Sequence, residues 1–119
     1  HVEPGGLLTV GSTASGLACL AWGPPLPVIG PLDPALLAEA RLRGYACARG
    51  TFDPDVLGIG APIFGPDGLA LGAIAVASPI SRMTAGYETD IATALLRASA
   101  EATRLFAGAF PDSYPSHSG

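Results

Sequence analysis

Two β-rich runs separated by a Gly-Pro-Asp-Gly turn constrain this chain more than any other feature. Residues 56–64 and 69–78 are built mainly from Val, Ile, Leu, Ala and Gly, and Gly65, Pro66, Asp67 and Gly68 stand between them. Pro presets φ and Gly accepts the positive φ needed to close the turn, so the segment reads as a β-hairpin. With Phe64 facing Leu69 across a four-residue loop, alternation pairs Leu57 with Val76, Ile59 with Ile74 and Ile63 with Ala70 on one face. That face is core. The opposite face pairs Val56 with Ala77, Gly58 with Ala75 and Gly60 with Ala73, and presents little but hydrogen atoms and methyl groups. Either a helix packs unusually close to such a face, or the sheet floors a cavity for a small ligand. A bulge near the turn would shift the register.

The rest of the chain supplies elements to cover that sheet. Leu7, Leu8, Thr9 and Val10 suffice for a short strand. An Ala- and Leu-rich run to Trp22 reads as a buried helix, with Ser12 as N-cap and Gly23, Pro24 and Pro25 as its stop. Residues 22–34 carry five prolines and form an irregular connection. Asp33 then caps a helix whose first residue is Pro34, with Leu36, Leu37 and Ala40 on its apolar face, Glu39 and Arg43 spaced to pair, and Gly44 as a left-handed exit. A strand over residues 45–49 follows. Residues 84–108 form a long helix in which Tyr87, Ile91, Leu95, Ala98, Ala102 and Leu105 recur at three- and four-residue steps. Residues 111–119 read as a disordered tail, which leaves residues 1–110 as one α+β domain.

Composition narrows the function. The 119 residues are 49% hydrophobic and 13% charged, which demands a packed core and excludes intrinsic disorder. The net charge is −4, and Arg41, Arg43, Arg49, Arg82, Arg97 and Arg104 are scattered, so no basic stripe addresses nucleic acid directly. The longest apolar run, residues 69–77, is far short of the roughly 20 residues that span a bilayer and reads as a core strand, with no membrane association. Cys19 and Cys47 make neither a disulfide framework nor a metal pattern, and with no secretory leader in view the expected compartment is the cytoplasm. The start at His1 suggests a fragment or a processed product. Both histidines, His1 and His117, lie in terminal tails, which disfavours an enzyme. Asp53 and Asp55 read as a solvated turn pair, and no Lys-Ser or Lys-Thr follows Gly58, Gly60 and Gly65 to make a phosphate loop. No cofactor is expected.

At these same residues the chain resembles the C-terminal effector-binding domain of isocitrate lyase regulator (IclR) type transcription factors. The family's order of motifs appears as Gly44-Tyr45-Ala46, then Phe52, Pro54 and Val56, Ile59-Gly60-Ala61-Pro62, Gly65-Pro66-Asp67-Gly68, Ala75-Val76-Ala77-Ser78-Pro79 and Arg82. Residues 12–21 look like the family's Ala-rich helix, and residues 84–108 match its closing helix. The resemblance implies a GAF-like (profilin-like) antiparallel sheet with flanking helices, here a partial domain that lacks the first strands. It also implies a small organic effector, assembly into a homodimer or tetramer, and DNA contact only through a separate winged helix-turn-helix domain outside this chain.

Carried over residue by residue, the implied ligand-binding positions are Thr13, Ala14 and Ser15 at the first helix, Ala48 after Tyr45, and Val56, Gly58, Ala75 and Ala77 on the hairpin. The last four lie on the face that alternation leaves empty. The family's polar groups are replaced here: its acidic loop residues by Ala48, Arg49, Gly50 and Thr51, its frequent Cys by Gly58, its strand serines by Ala75 and Ala77, and a helix Lys by Leu17. Such a lining suits an apolar or aromatic effector better than a small carboxylate. The rival reading is a structural or dimerisation module that has lost ligand binding.

Overall fold

The computed structural model describes residues 13–25, 28, 32–50 and 53–115. The run from Leu7 to Val10, Ser12 and Phe52 lie outside the described residues. The chain forms α1 (Ala14–Trp22), α2 (Pro34–Arg43), β1 (Ala46–Arg49), β2 (Val56–Phe64), β3 (Ala70–Pro79), a short 3-10 turn (Ile80–Arg82) and α3 (Ala85–Leu105). The strands make one antiparallel sheet in the order β1-β2-β3, giving the expected α+β class.

Each helix starts where a side chain can satisfy an orphan amide. Thr13 caps α1: it is extended, and its Oγ1 accepts a hydrogen bond from the Gly16 N–H at 3.0 Å. Asp33 caps α2, accepting from the Ala35 N–H at 2.9 Å just before Pro34, and Gly44 ends that helix at φ 90°. The Arg43–Glu39 pair forms at 3.1 Å but is exposed, so it contributes only about 0.3–0.5 kcal/mol. Thr84 caps α3 through the Tyr87 N–H at 3.2 Å. The buried stripe of α3 is Ala92, Leu95, Ser99 and Thr103. Tyr87 and Leu105, expected on the apolar stripe, are 45% and 78% exposed; the buried stripe runs through Ser99 to Thr103, which sets Leu105 about 200° round the helix from the last buried position.

The hairpin forms where expected, in a different register. Gly65 N–H donates to Leu69 O at 2.9 Å and Gly68 N–H to Gly65 O at 3.1 Å, with Gly68 at φ 78°. The loop therefore holds three residues instead of four, a slip of one. Phe64 then faces Ala70 while Ile63 faces Gly72, so Leu71 bulges and adds a second slip. Leu57 consequently faces Ser78, Ile59 faces Val76, Gly58 faces Ala77 and Gly60 faces Ala75. The two slips add to an even number, so beyond the bulge the side chains keep their expected faces, whereas Ala70, between the slips, faces Phe64 on the α1 side instead of joining Ile63.

That conserved alternation makes the sheet two-sided. Leu57, Ile59 and Ala61 pack with Leu95 of α3, joined by Tyr45, Cys47, Ile74 and Ile91. The other side carries Ala46, Ala48, Phe64 and Ala70 under α1 and α2, with Leu17, Ala18, Trp22 and Ala40. Among the described residues β3 lies at the edge of the sheet and is not the buried core strand that its apolar run implied: Ala75 and Ala77 are exposed, and Val76 is 38% exposed. The described sheet has two edges, β1 and β3.

The chain beyond residue 110 is not all free tail. Ala107 takes a left-handed turn at φ 51°, and Ala109 N–H donates to Gly65 O at 3.0 Å. Tyr114 then enters an aromatic cluster, with ring centroids 5.2 Å from Phe64, 5.4 Å from Trp22 and 5.7 Å from Phe110. Its hydroxyl donates to Gly44 O at 2.7 Å. A tail beginning at residue 111 could not be read otherwise from the sequence, because these contacts are long-range; residues 116–119 lie outside the described set. Burial pushes the Tyr114 phenol up to about 12, with a hydrogen bond to the Ser99 side chain pulling the other way.

A phenol whose pKa is raised by folding contributes its full stability below the ordinary value of about 10 and loses it as the pH climbs. Thermal unfolding of the wild type should therefore lose stability between about pH 10, where the unfolded chain ionises, and about pH 12. Tyr114→Phe should flatten that loss. Parallel alkaline profiles for the two proteins would contradict the assignment.

Candidate functional site

The site is built on two transverse rows of the sheet. Register places Ala48, Gly58 and Ala77 in one row and Ala46, Gly60 and Ala75 in the next. Each row is Ala-Gly-Ala, so the backbone of the sheet is nearly bare over two strand widths. The first turn of α1 rests on the second row. A Cβ at Gly60 would lie 2.7 Å from Ala14 O, whereas a Cβ at Gly58 would lie 3.2 Å from the Ala14 Cβ. The helix thus touches the sheet at Gly60.

From Gly58 outward the space opens into a pocket of about 200 Å³. Its floor is Ala48, Gly58, Val56 and the β3 segment Ala75, Val76 and Ala77; its wall is Thr13, Ala14 and Ser15 of α1. All eight positions named from the sequence lie around this one pocket, and Val76 joins them. Val76 was assigned to the opposite face, and strand alternation still puts its side chain there. It lies between Ala75 and Ala77, both of which line the pocket. The close helix contact falls at Gly60 and the open space at Gly58.

The lining is chemically plain. Among the described residues Thr13 and Ser15 bring the only side-chain hydroxyls to the pocket, and Thr13 Oγ1 is already engaged as the α1 cap. No charged side chain is among its described lining. Such a site discriminates by shape and by burial of apolar surface, which contributes roughly 25 cal/mol per Å² removed from water.

The other reactive-looking groups sit elsewhere and are accounted for. Asp53 Oδ1 accepts from the Asp55 N–H at 2.9 Å, a turn closure rather than a carboxylate dyad. Cys47 faces α3, 3.6 Å from Arg43 Nη1 and 3.9 Å from Glu88 Oε1, and Arg49 pairs with Glu88 at 3.4 Å. Burial is the main cause raising the Cys47 thiol pKa, with Arg43 opposing it, and burial also raises that of Cys19. Both thiols are held in the less reactive form. Among the described residues no cluster of His, Cys, Asp and Glu is placed to hold a metal ion, and no helix is long and apolar enough to cross a membrane.

Comparison with known proteins joins this geometry to a family. The family model described as the C-terminal part of bacterial IclR transcriptional regulators matches residues 34–104. A solved structure described as an IclR transcriptional regulator from Silicibacter sp. is similar at TM-score 0.81 and 38% identity, covering 98% of this chain and 53% of its own. The repressor BlcR of Agobacterium tumefaciens is similar at TM-score 0.73 and 24% identity, over 87% of this chain and 50% of its own. The IclR of Thermotoga maritima gives 0.71 and 22%, over 82% and 47%. The last two show likeness of fold alone. The chain spans about half the length of these structural relatives. No curated protein matches the sequence.

The contrast between the two glycines is measurable. Gly60→Ala forces the first turn of α1 off the sheet, since its Cβ meets backbone, and should cost about 1–3 kcal/mol in urea unfolding. Gly58→Ala meets only a methyl group at 3.2 Å and should cost clearly less. Equal losses would show that α1 does not lie closest at Gly60.

Proposed function

The chain belongs to the IclR C-terminal family of bacterial transcriptional regulators, and on that premise we propose that it senses a small organic effector in the pocket between α1 and the Ala-Gly-Ala rows. The observation that carries this reading is the unfilled space of about 200 Å³ beside Gly58, floored by glycine and alanine. The effector is apolar or aromatic in body, a reading supported by the described lining, which holds no charged side chain. It acts by biasing the position of α1 rather than by any chemical step, so the protein is a regulator and not an enzyme. DNA is contacted by a separate helix-turn-helix domain outside this chain, in the cytoplasm, and the domain associates into a homodimer or tetramer.

A second reading has its own support. The close contact of Ala14 with Gly60 shows that small residues on this face also serve helix packing, as a ligand-free dimerisation module would require. The two readings separate in a thermal-shift screen with aromatic and aliphatic acids and their neutral analogues. A ligand at 100 times its dissociation constant contributes about 2.7 kcal/mol, a shift on the order of 10 °C for a domain of this size. Gly58→Leu should abolish the shift and leave the unliganded protein nearly as stable. Absence of any shift across the panel, with Gly58→Leu destabilising, favours the ligand-free module. For assembly, light scattering at micromolar concentration should give a dimer or tetramer mass; a monodisperse monomer would contradict that part of the proposal.

A further inference from the structure

The segment after α3 does more than end the chain. The α1 helix has nine residues, about 13 Å from end to end at 1.5 Å per residue; its middle is buried through Leu17 and Ala18, and each end has a distinct contact that sets its height. At its N-terminal end the Ala14 backbone rests on Gly60, with no side chain between to yield. At its C-terminal end Trp22 meets the Tyr114 ring edge-on, 5.4 Å between centroids and 73° between planes. Arg41 Nε also donates to Ala21 O at 3.2 Å, but in an exposed position. Tyr114 is itself fixed from three sides, by Phe64 of β2 at 5.2 Å, by Phe110 stacked on it at 5.7 Å, and by the hydrogen bond to Gly44 O at 2.7 Å.

We propose that Tyr114 is a positioning latch: it sets the tilt of α1 about the Gly60 contact and thereby the aperture of the pocket that residues 13–15 wall. A short rigid helix with a hard contact at one end behaves as a lever. Its far end is free to move only as far as the packing there allows. Without the Tyr114 ring, Trp22 loses its edge partner and settles into the vacated space, and the first turn of α1 rocks on Gly60. Linkage makes the relation reciprocal, so whatever displaces residues 13–15 also loads the Tyr114 contacts. The C-terminal segment is then coupled to the pocket without touching it. This inference rests on the contacts of α1 and Tyr114 and stands whether or not an effector is found.

Site-resolved amide hydrogen exchange on the full chain tests it, comparing wild type with Tyr114→Ala and Tyr114→Phe. The amides to follow are Gly16 and Leu17, which bond to Thr13 Oγ1 and Thr13 O, against those of α3 around Ile91, two turns from the Ser99 side chain that Tyr114 touches. Tyr114→Ala should speed exchange at Gly16 and Leu17 by at least about tenfold, a preferential local opening of a helix end, while that part of α3 keeps its protection. The single tryptophan, Trp22, should report the same change as a red-shifted emission. Tyr114→Phe keeps the ring and loses the hydroxyl's bonds to Gly44 O and the Ser99 side chain, and should give a smaller change of the same pattern. Unchanged exchange at Gly16 and Leu17 would overturn the latch, as would a uniform rise over α1 and α3. If Tyr114→Ala does not fold, the Tyr114→Phe comparison decides on the same criteria.

Discussion

Everything on the pocket side of this molecule depends on a helix backbone lying directly on a sheet backbone. The first turn of α1 reaches Gly60 so closely that a methyl group there would stand 2.7 Å from Ala14 O. Helices usually stand off a sheet by the thickness of their side chains, about 10 Å between layers when both faces are large. Here the Ala-Gly-Ala row removes that spacer and lowers one end of α1. The lowered end carries the Thr13 cap, and Leu17 and Trp22 then descend into a core with Phe64 and Ala40. The height of α1 above the sheet is fixed by the absence of side chains at one end and by a cluster of large ones at the other.

The two faces of the sheet divide the labour. The face toward α3 is conventional: Leu57 and Ile59 bury completely against Leu95, and Thr103 of the same helix satisfies the buried Phe64 N–H at 3.1 Å. The charged cluster of Arg43, Arg49 and Glu88 lies on this side as well, near Cys47. The polar side chains of the described sheet are thus concentrated away from the pocket, whose described lining holds no charged side chain. The aromatic residues bind the two halves. Tyr114 touches α1 through Trp22, β2 through Phe64 and the end of α2 through Gly44 O. A contact seventy positions apart in sequence, Tyr114 to Gly44, closes the fold.

Much of this was legible in the residues, and the limits have physical causes. The Asp33-Pro34 start, the Gly44 exit and the hairpin turn are local chemistry, so sequence suffices for them. The small-residue face survived a wrong register because both slips, the shorter loop and the Leu71 bulge, were single steps that sum to an even number. One slip alone would have inverted the faces and put Leu57 and Ile59 against α1. The eight pocket positions came together partly through the family resemblance and partly through that alternation. Sequence could not show that β3 lies at the edge of the described sheet, since a strand buried on one face and a strand at an edge have the same apolar alternation. It could not place Tyr114 either, because a tail residue acquires a partner only when the fold brings Gly44 and Trp22 to it.

The pocket also follows from the mismatch between a straight helix and a twisted sheet. Strands rotate by roughly 20° from one to the next, so a helix that touches one row must separate from its neighbours on either side. Toward Phe64 the widening gap is filled by Leu17 and Trp22. Toward Gly58 the corresponding residues are Ala48, Gly58 and Ala77, and the gap stays open. Larger residues there would each add about 0.8 kcal/mol per buried methylene, and neither glycine carries a positive φ that would forbid a side chain. At Gly60 the helix backbone itself forbids one; at Gly58 a Cβ would stand 3.2 Å from the Ala14 Cβ, a tight contact to which the first turn of α1 would have to give by a few tenths of an ångström. Backbone contact therefore accounts fully for the glycine at 60 and only in part for the one at 58. The open space beside the Gly58 row supports the proposal that it is a binding surface, while the Gly60 row serves packing.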